Sequence, residues 1–307
     1  MQGYEFQWAE AGLTEPARLR LSVTESGFAV IRDVLRRDEV EFFREVIRQR
    51  LARSGSRLGL GRTQPNASVA VPELTGIFAH PRIVAVVKGL LGDDNVVFTG
   101  HCDAHMNMLS GWHKDSGEAF GGYFRGDCFV APDCRVYKIG IYLQDSDPRS
   151  ALRVRPGSHR SASLDFGEML RIDTRVGDIV VFDVRLSHAG QLPDAFEKAI
   201  KAVNVLFTRN DRTREDARIA GALKSAYWRI RGRKDRLSVF FTYGYPNAHT
   251  YDFSFFNIAR QARQSQVREL RLPPELGERL RSLGVRNYDP ATHELWAERN
   301  VASRRSA

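Results

Sequence analysis

The sequence predicts a mainly β protein: a barrel or sandwich of short strands, with helices packed outside it and one helical segment inserted between strands. Three observations predict it. Helix-spaced apolar residues occupy much of residues 36–93. Then "NVVFTGHCDAHMNML" (95–109), "CRVYKIGIYLQD" (134–145), "LRVRPGSHR" (152–160) and "GDIVVFDVRLSHAG" (177–190) are rich in β-branched and aromatic residues and separated by Gly, Pro, Asp and Ser clusters, the pattern of a multi-stranded antiparallel sheet. After a helix-like stretch over 192–234, the strand pattern returns in "RLSVFFTYG" (236–244).

Each element has a local reason. "ESGFAVIRDVL" (25–35) reads as a short strand reached through a glycine. In "RRDEVEFFREVIRQRLARSG" (36–55), Val40, Phe43, Val46, Ile47 and Leu51 recur at near-helical spacing, with Gly55 beyond the end. "HPRIVAVVKGLLGD" (80–93) is a second helix, opened near Pro81 and stopped by Gly92. Residues 192–234 hold one proline, near their start, and from about 251 the chain is helical and charged, interrupted by "LPPELGERL". The expected organisation is one domain over 1–307: N-terminal helices (about 36–93), a strand core (about 95–190 and 236–244), a helical insertion (192–234) and a helical tail (251–307).

Composition narrows the function classes. Hydrophobic residues at 42% and charged residues at 27% fit a soluble globular chain. No apolar run approaches the about 20 residues that cross a bilayer, and the N-terminus lacks the pattern of a signal peptide. Cys102, Cys128 and Cys134 show no CxxC spacing, so the expected setting is a reducing cytoplasm. The net charge of +9, concentrated in part in "YWRIRGRKDR" (227–236), favours an acidic partner. No nucleic-acid signature accompanies it, so nucleic acid is not expected. Oligomeric state is not readable.

The chemistry starts at "SGWHKDSG" (110–117). His113 and Asp115 stand at i and i+2, so on an extended segment both side chains face the same way. His188, at the end of the apolar "FDVRLSHAG", offers a third ligand. Two histidines and one carboxylate are the facial triad of non-haem iron(II) oxygenases, with three coordination positions left for a bidentate cosubstrate and dioxygen. A 2-oxo acid such as 2-oxoglutarate needs a cation for its far carboxylate. Arg236 and Ser238 in "RLS" supply a guanidinium and a hydroxyl on one strand face. Each piece alone is weak; the order HxD, strands, distal His, RxS is the signal.

On these residues the chain resembles the phytanoyl-CoA dioxygenase family of iron(II)/2-oxoglutarate oxygenases. "GFAVIRDVLRRDEVEFFREVI", "GWHKDSG", "YKIGIYLQDSDPRSALRVRPGSHR", "VGDIVVFDVRLSHAG" and "RLSVFFTYGYPNAHT" match its segments in order. The resemblance implies a double-stranded β-helix (jelly-roll) core. It also implies iron on His113, Asp115 and His188, and 2-oxoglutarate on Arg236 and Ser238. The expected reaction is hydroxylation of a C–H bond in a small molecule, with 2-oxoglutarate decarboxylated to succinate. Related halogenases carry a small residue at the Asp115 position, so the carboxylate argues for hydroxylation. The chain departs from the family where 192–234 separates His188 from Arg236; Lys198 and Lys201 stand nearer the usual distance and are the alternative anchors. Asn107 is a further cosubstrate candidate, and Lys138 and Arg185 are substrate candidates. Among other histidines, His101 and His105 share strand parity with His113, His159 reads as structural, His249 as ordering a turn, and His80 and His293 as surface. The competing readings are a cupin-like metal enzyme without a 2-oxo acid, and a protein that binds nucleic acid or anionic membrane through the basic patch.

Overall fold

A computed structural model of the chain describes residues 3–9, 12–53, 56–58, 60–115, 126–207, 216–265 and 271–289. Its strands and helices, in order, are β1 (Glu5–Ala9), β2 (Gly12–Leu13), α1 (Pro16–Ser26), β3 (Phe28–Arg32), α2 (Arg37–Arg53), β4 (Ser56–Leu58), β5 (Gly61–Pro65), α3 (Ala67–Ala70), α4 (Thr75–Phe78), α5 (Pro81–Leu91), β6 (Val96–Met106), β7 (Val136–Tyr142), β8 (Leu152–Val154), β9 (Leu170–Ile172), β10 (Ile179–Asp183), β11 (His188–Ala189), α6 (Ala195–Phe207), α7 (Asp216–Ile230), β12 (Leu237–Gly244), α8 (Ala248–Ser265), α9 (Pro274–Ser282) and β13 (Val285–Asn287).

The strands form a large mixed sheet, β2-β1-β3-β10-β7-β12-β6-β5-β4 with β13 beside β6, and a small sheet, β11-β8-β9. Period-two alternation gives the large sheet two faces. Ala29, Ile31, Ile139, Ile141, Val181, Val239 and Phe241 point outward, onto a core shared with α1, α2 and α5. Phe28, Val30, Tyr142, Val180, Phe182 and Phe240 point inward and pack on Leu152, Val154 and Ile172 of the small sheet. Two sheets folded face to face around one inner space are the jelly roll that the family resemblance implies.

Several elements were not foreseen. The β1–β2 hairpin, α1, the β4–β5 hairpin and β13 carry short or irregular apolar patterns. The strands form because neighbouring strands offer free edges, with β1 and β13 pairing in parallel with β3 and β6, and α1 forms by burying Leu19 and Val23 in the outer core. The stretch 192–234, read as helical, holds α6 and α7. No single helix among the described residues is long and apolar enough to cross a membrane.

Candidate metal centre

Backbone pairing joins the two predicted ligand segments. The amide of His113 donates to the carbonyl of His188 at 3.0 Å, and the amide of His188 to that of His113 at 2.9 Å. The amide of Asp115 donates to Val184 O at 3.0 Å. Between the two, Lys114 points away from the site, and its buried ammonium donates to Ser158 O at 2.6 Å and Arg185 O at 2.8 Å. It fixes the extended backbone that turns His113 and Asp115 to one side. In the sequence only its place between them marks it.

Ligand atoms of His113, Asp115 and His188 all lie within 4.8 Å of one another. Nδ1 of His113 is 2.8 Å from Gly111 O, and Nδ1 of His188 is 3.0 Å from Leu186 O. A carbonyl only accepts, so each Nδ1 carries the proton and each Nε2 keeps a lone pair. Asp115 Oδ2 is buried with no hydrogen-bond partner and lies 3.8 Å from His188 Nε2. Asp115 Oδ1 accepts from Lys138 Nζ at 2.9 Å. Burial disfavours the carboxylate, yet Lys138 and the imidazoles outweigh it and hold the Asp115 carboxyl well below the usual range. Burial pushes His188 down to about 3, so both nitrogen ligands are neutral at neutral pH. Two neutral imidazoles, one carboxylate and an orphaned carboxylate oxygen fit a divalent ion of borderline hardness.

A second polar group lies on the inner face at the start of β12. Ser238 pairs with Tyr142 on one side and His105 on the other. The Ser238 and Tyr142 hydroxyls are both buried without a hydrogen-bond partner. Arg236, 6% exposed, donates from Nε to Ser150 O at 2.8 Å, and its guanidinium carbon lies 4.9 Å from the Tyr142 ring centroid. Gly190, lacking a side chain, leaves space beside the guanidinium nitrogens. Two orphan hydroxyls next to a buried guanidinium suit a carboxylate. Tyr142 was not singled out in the sequence; its parity with Lys138 and Gly140 on β7 is the signal that would have found it.

Other candidates lie elsewhere. Asn107 does not face this pocket: its amide donates to Asp235 Oδ1 at 2.7 Å and accepts from the Arg236 amide at 2.8 Å, so it orders the turn into β12. Arg185 is buried but fully engaged, with Asp183 at 2.8 Å and the carbonyls of Cys128, Ala131 and Cys134. It braces the β10–β11 turn. Lys198 and Lys201 are exposed on α6. His80 is 7% exposed and sits 3.3 Å from Glu39, so its surface reading is corrected: it joins α2 to the start of α5. His159 Nε2 binds Thr24 O at 3.1 Å, a structural tie. His293 lies outside the described residues.

The phytanoyl-CoA dioxygenase (PhyH) pattern matches residues 23–191, more than half of the chain. The chain belongs to the phytanoyl-CoA dioxygenase family. By kind it is a non-haem iron, 2-oxoglutarate-dependent enzyme. Solved structures with similar folds include the non-haem alpha-ketoglutarate-dependent epimerase SnoN from nogalamycin biosynthesis (17% identity, 75% of this chain and 82% of that one, TM-score 0.50). AviO1 from Streptomyces viridochromogenes Tue57 is 17% identical over 75% of this chain and 94% of its own, with a TM-score of 0.51. EvdMO1 is 17% identical over 76% and 51%, with a TM-score of 0.52. At such identities the likeness is one of fold. No curated protein matches the sequence.

Proposed function

We propose that the protein hydroxylates a C–H bond of a small molecule, with His113, Asp115 and His188 holding iron(II) and Arg236, Ser238 and Tyr142 holding the far carboxylate of 2-oxoglutarate. Iron bound with 2-oxoglutarate and dioxygen supplies the oxidising power, through decarboxylation of the oxo acid to succinate. The chain's own residues do the rest. Arg236 and the two hydroxyls orient the cosubstrate. Lys138 holds Asp115 Oδ1, so that Oδ2 alone faces the metal position. The apolar inner wall of Phe182, Phe240 and Leu186 keeps water from the reacting carbon. The free cysteines, of which Cys102 and Cys134 are buried, fit a cytoplasmic setting.

The observation that carries this reading is the convergence of His113, Asp115 and His188 around an unpaired carboxylate oxygen. Anaerobic titration with iron(II) and 2-oxoglutarate tests it. The wild type is expected to develop the weak visible band of the chelate. His113→Ala loses it, and Arg236→Ala needs at least about tenfold more 2-oxoglutarate, a loss of about 1.4 kcal/mol. A wild type without the band and without oxo-acid-dependent succinate overturns the reading. A coupled product lacking the added oxygen atom overturns hydroxylation alone.

A further inference from the structure

The inner face of the large sheet carries cations at both ends, and the cosubstrate accounts for one. At the start of β12, Ser238, Tyr142 and Arg236 form the carboxylate pocket described above. Four residues further along, Thr242 pairs with Lys138, and its hydroxyl lies 3.0 Å from His101 Nδ1. The separation along the strand is about 13 Å at roughly 3.3 Å per residue. Here α8 brings in Arg260, whose Nη2 donates to His101 Nε2 at 3.1 Å. Arg260 Nε is buried without a partner. Among the described residues, no carboxylate lies within ion-pair distance of Arg260, whereas Arg185 is fully engaged. A guanidinium with a buried, unused N–H lacks something that accepts.

The charges of the loaded site point the same way. Asp115 and the two carboxylates of 2-oxoglutarate balance the iron and Arg236. Lys138 and Arg260 remain, faced by Asp103, while His101 accepts from Arg260 and is therefore neutral. The end of the inner face beyond the metal position thus keeps an excess of positive charge. Between the two ends lies Phe240, its ring centroid 5.2 Å from Lys138 Nζ. A Cβ on the neighbouring Gly140 would stand 2.9 Å from that ring, so glycine lets the ring lie across the sheet.

We propose that Arg260 and Lys138 clamp an oxyanion of the primary substrate, which is therefore a small acid bearing a carboxylate or a phosphate, its carbon skeleton lying on Phe240. The proposal rests on the metal-centre reading above and adds the substrate class and Arg260 to it. The guanidinium offers a planar pair of donors and the ammonium a point charge, a combination that holds either oxyanion.

The test is thermal unfolding of the anaerobic protein, saturated with iron(II) and 2-oxoglutarate so that the Arg236 end is filled. Three matched series are titrated: small carboxylic acids, phosphate monoesters, and the neutral methyl esters of the same acids. An acid or a phosphate is expected to raise the unfolding midpoint where its neutral counterpart does not, and the two anionic series tell carboxylate from phosphate. Arg260→Gln should weaken that anion at least tenfold, and Arg260→Lys should recover part of the loss. The recovery separates loss of charge from loss of fold. Neutral esters binding as tightly as acids, wild-type anion affinity in Arg260→Gln, anions acting only by displacing 2-oxoglutarate, or no anion binding would each overturn the proposal. The visible band is read separately. If the wild type lacks it, the iron reading fails, and the same titration on the protein as purified still decides the anion clamp.

Discussion

Asp115 shows how much a single side chain depends on its surroundings. A buried carboxylate is costly unless compensated, and Lys138 compensates one of its oxygens while leaving the other for a metal. Its i, i+2 relation to His113 is visible in the sequence because extended backbone has a fixed parity. The partner Lys138, over twenty residues away, is not. The arginines make the same point. Arg185, Arg236 and Arg260 are alike as letters, yet one is a brace, one borders the proposed cosubstrate pocket and one has an unused buried donor. Arg185→Met should therefore lower the unfolding free energy by roughly 3–5 kcal/mol, because Asp183 loses its buried counterion. Denaturant titration measures it. A loss below 1 kcal/mol would mean that Arg185 is not the brace described.

At the scale of the element, α6 and α7 fill the stretch read from the sequence as an insertion, and one buried lysine ties α7 to the strands beside it. Lys224 of α7 is 2% exposed and donates to the carbonyls of Leu60 and Asn107, with its ammonium 4.2 Å from the Trp228 ring centroid. Burial pushes its pKa from 10.5 down to about 8. Between pH 8 and 10.5 the unfolded chain keeps a proton that the folded chain has released. Stability owed to this residue thus rises with pH across that window, and the penalty is fully present below pH 8. It amounts to roughly 3 kcal/mol. Against Lys224→Met as reference, the wild type should gain stability from pH 8 to pH 10. A constant difference between the two unfolding curves would show that the ammonium is not desolvated. The helices themselves were readable from 192–234, a helix-like stretch with one proline near its start. Their packing on the β4–β5 hairpin was not, because Leu60 and Asn107 contribute backbone carbonyls, which carry no side-chain signature.

For the whole molecule, the two sheets meet around a site whose proposed ligands come from the β6–β7 connection and the start of β11, so filling it would tie both layers together. Binding to the folded state alone stabilises by about 2.7 kcal/mol at a hundredfold excess over Kd. Iron(II), or manganese(II) as a redox-stable substitute, should raise Tm by several degrees. Chelator should reverse the shift, and His188→Ala should abolish it. Identical midpoints with metal and with chelator would contradict a shared centre.

Local sequence determined the strand and helix alternation, the HxD parity and the order of the ligand-bearing segments, because these depend on periods of two and 3.6 residues that a chain displays along its length. It also carried the family. Tertiary structure alone decided that His188 pairs with His113, that Asn107 and Arg185 turn to structural tasks, and that Tyr142, Lys138 and Arg260 face the inner space. Those outcomes depend on which residues, distant along the chain, share one low-dielectric cavity, where charge balance and unfilled hydrogen bonds are settled jointly by several strands.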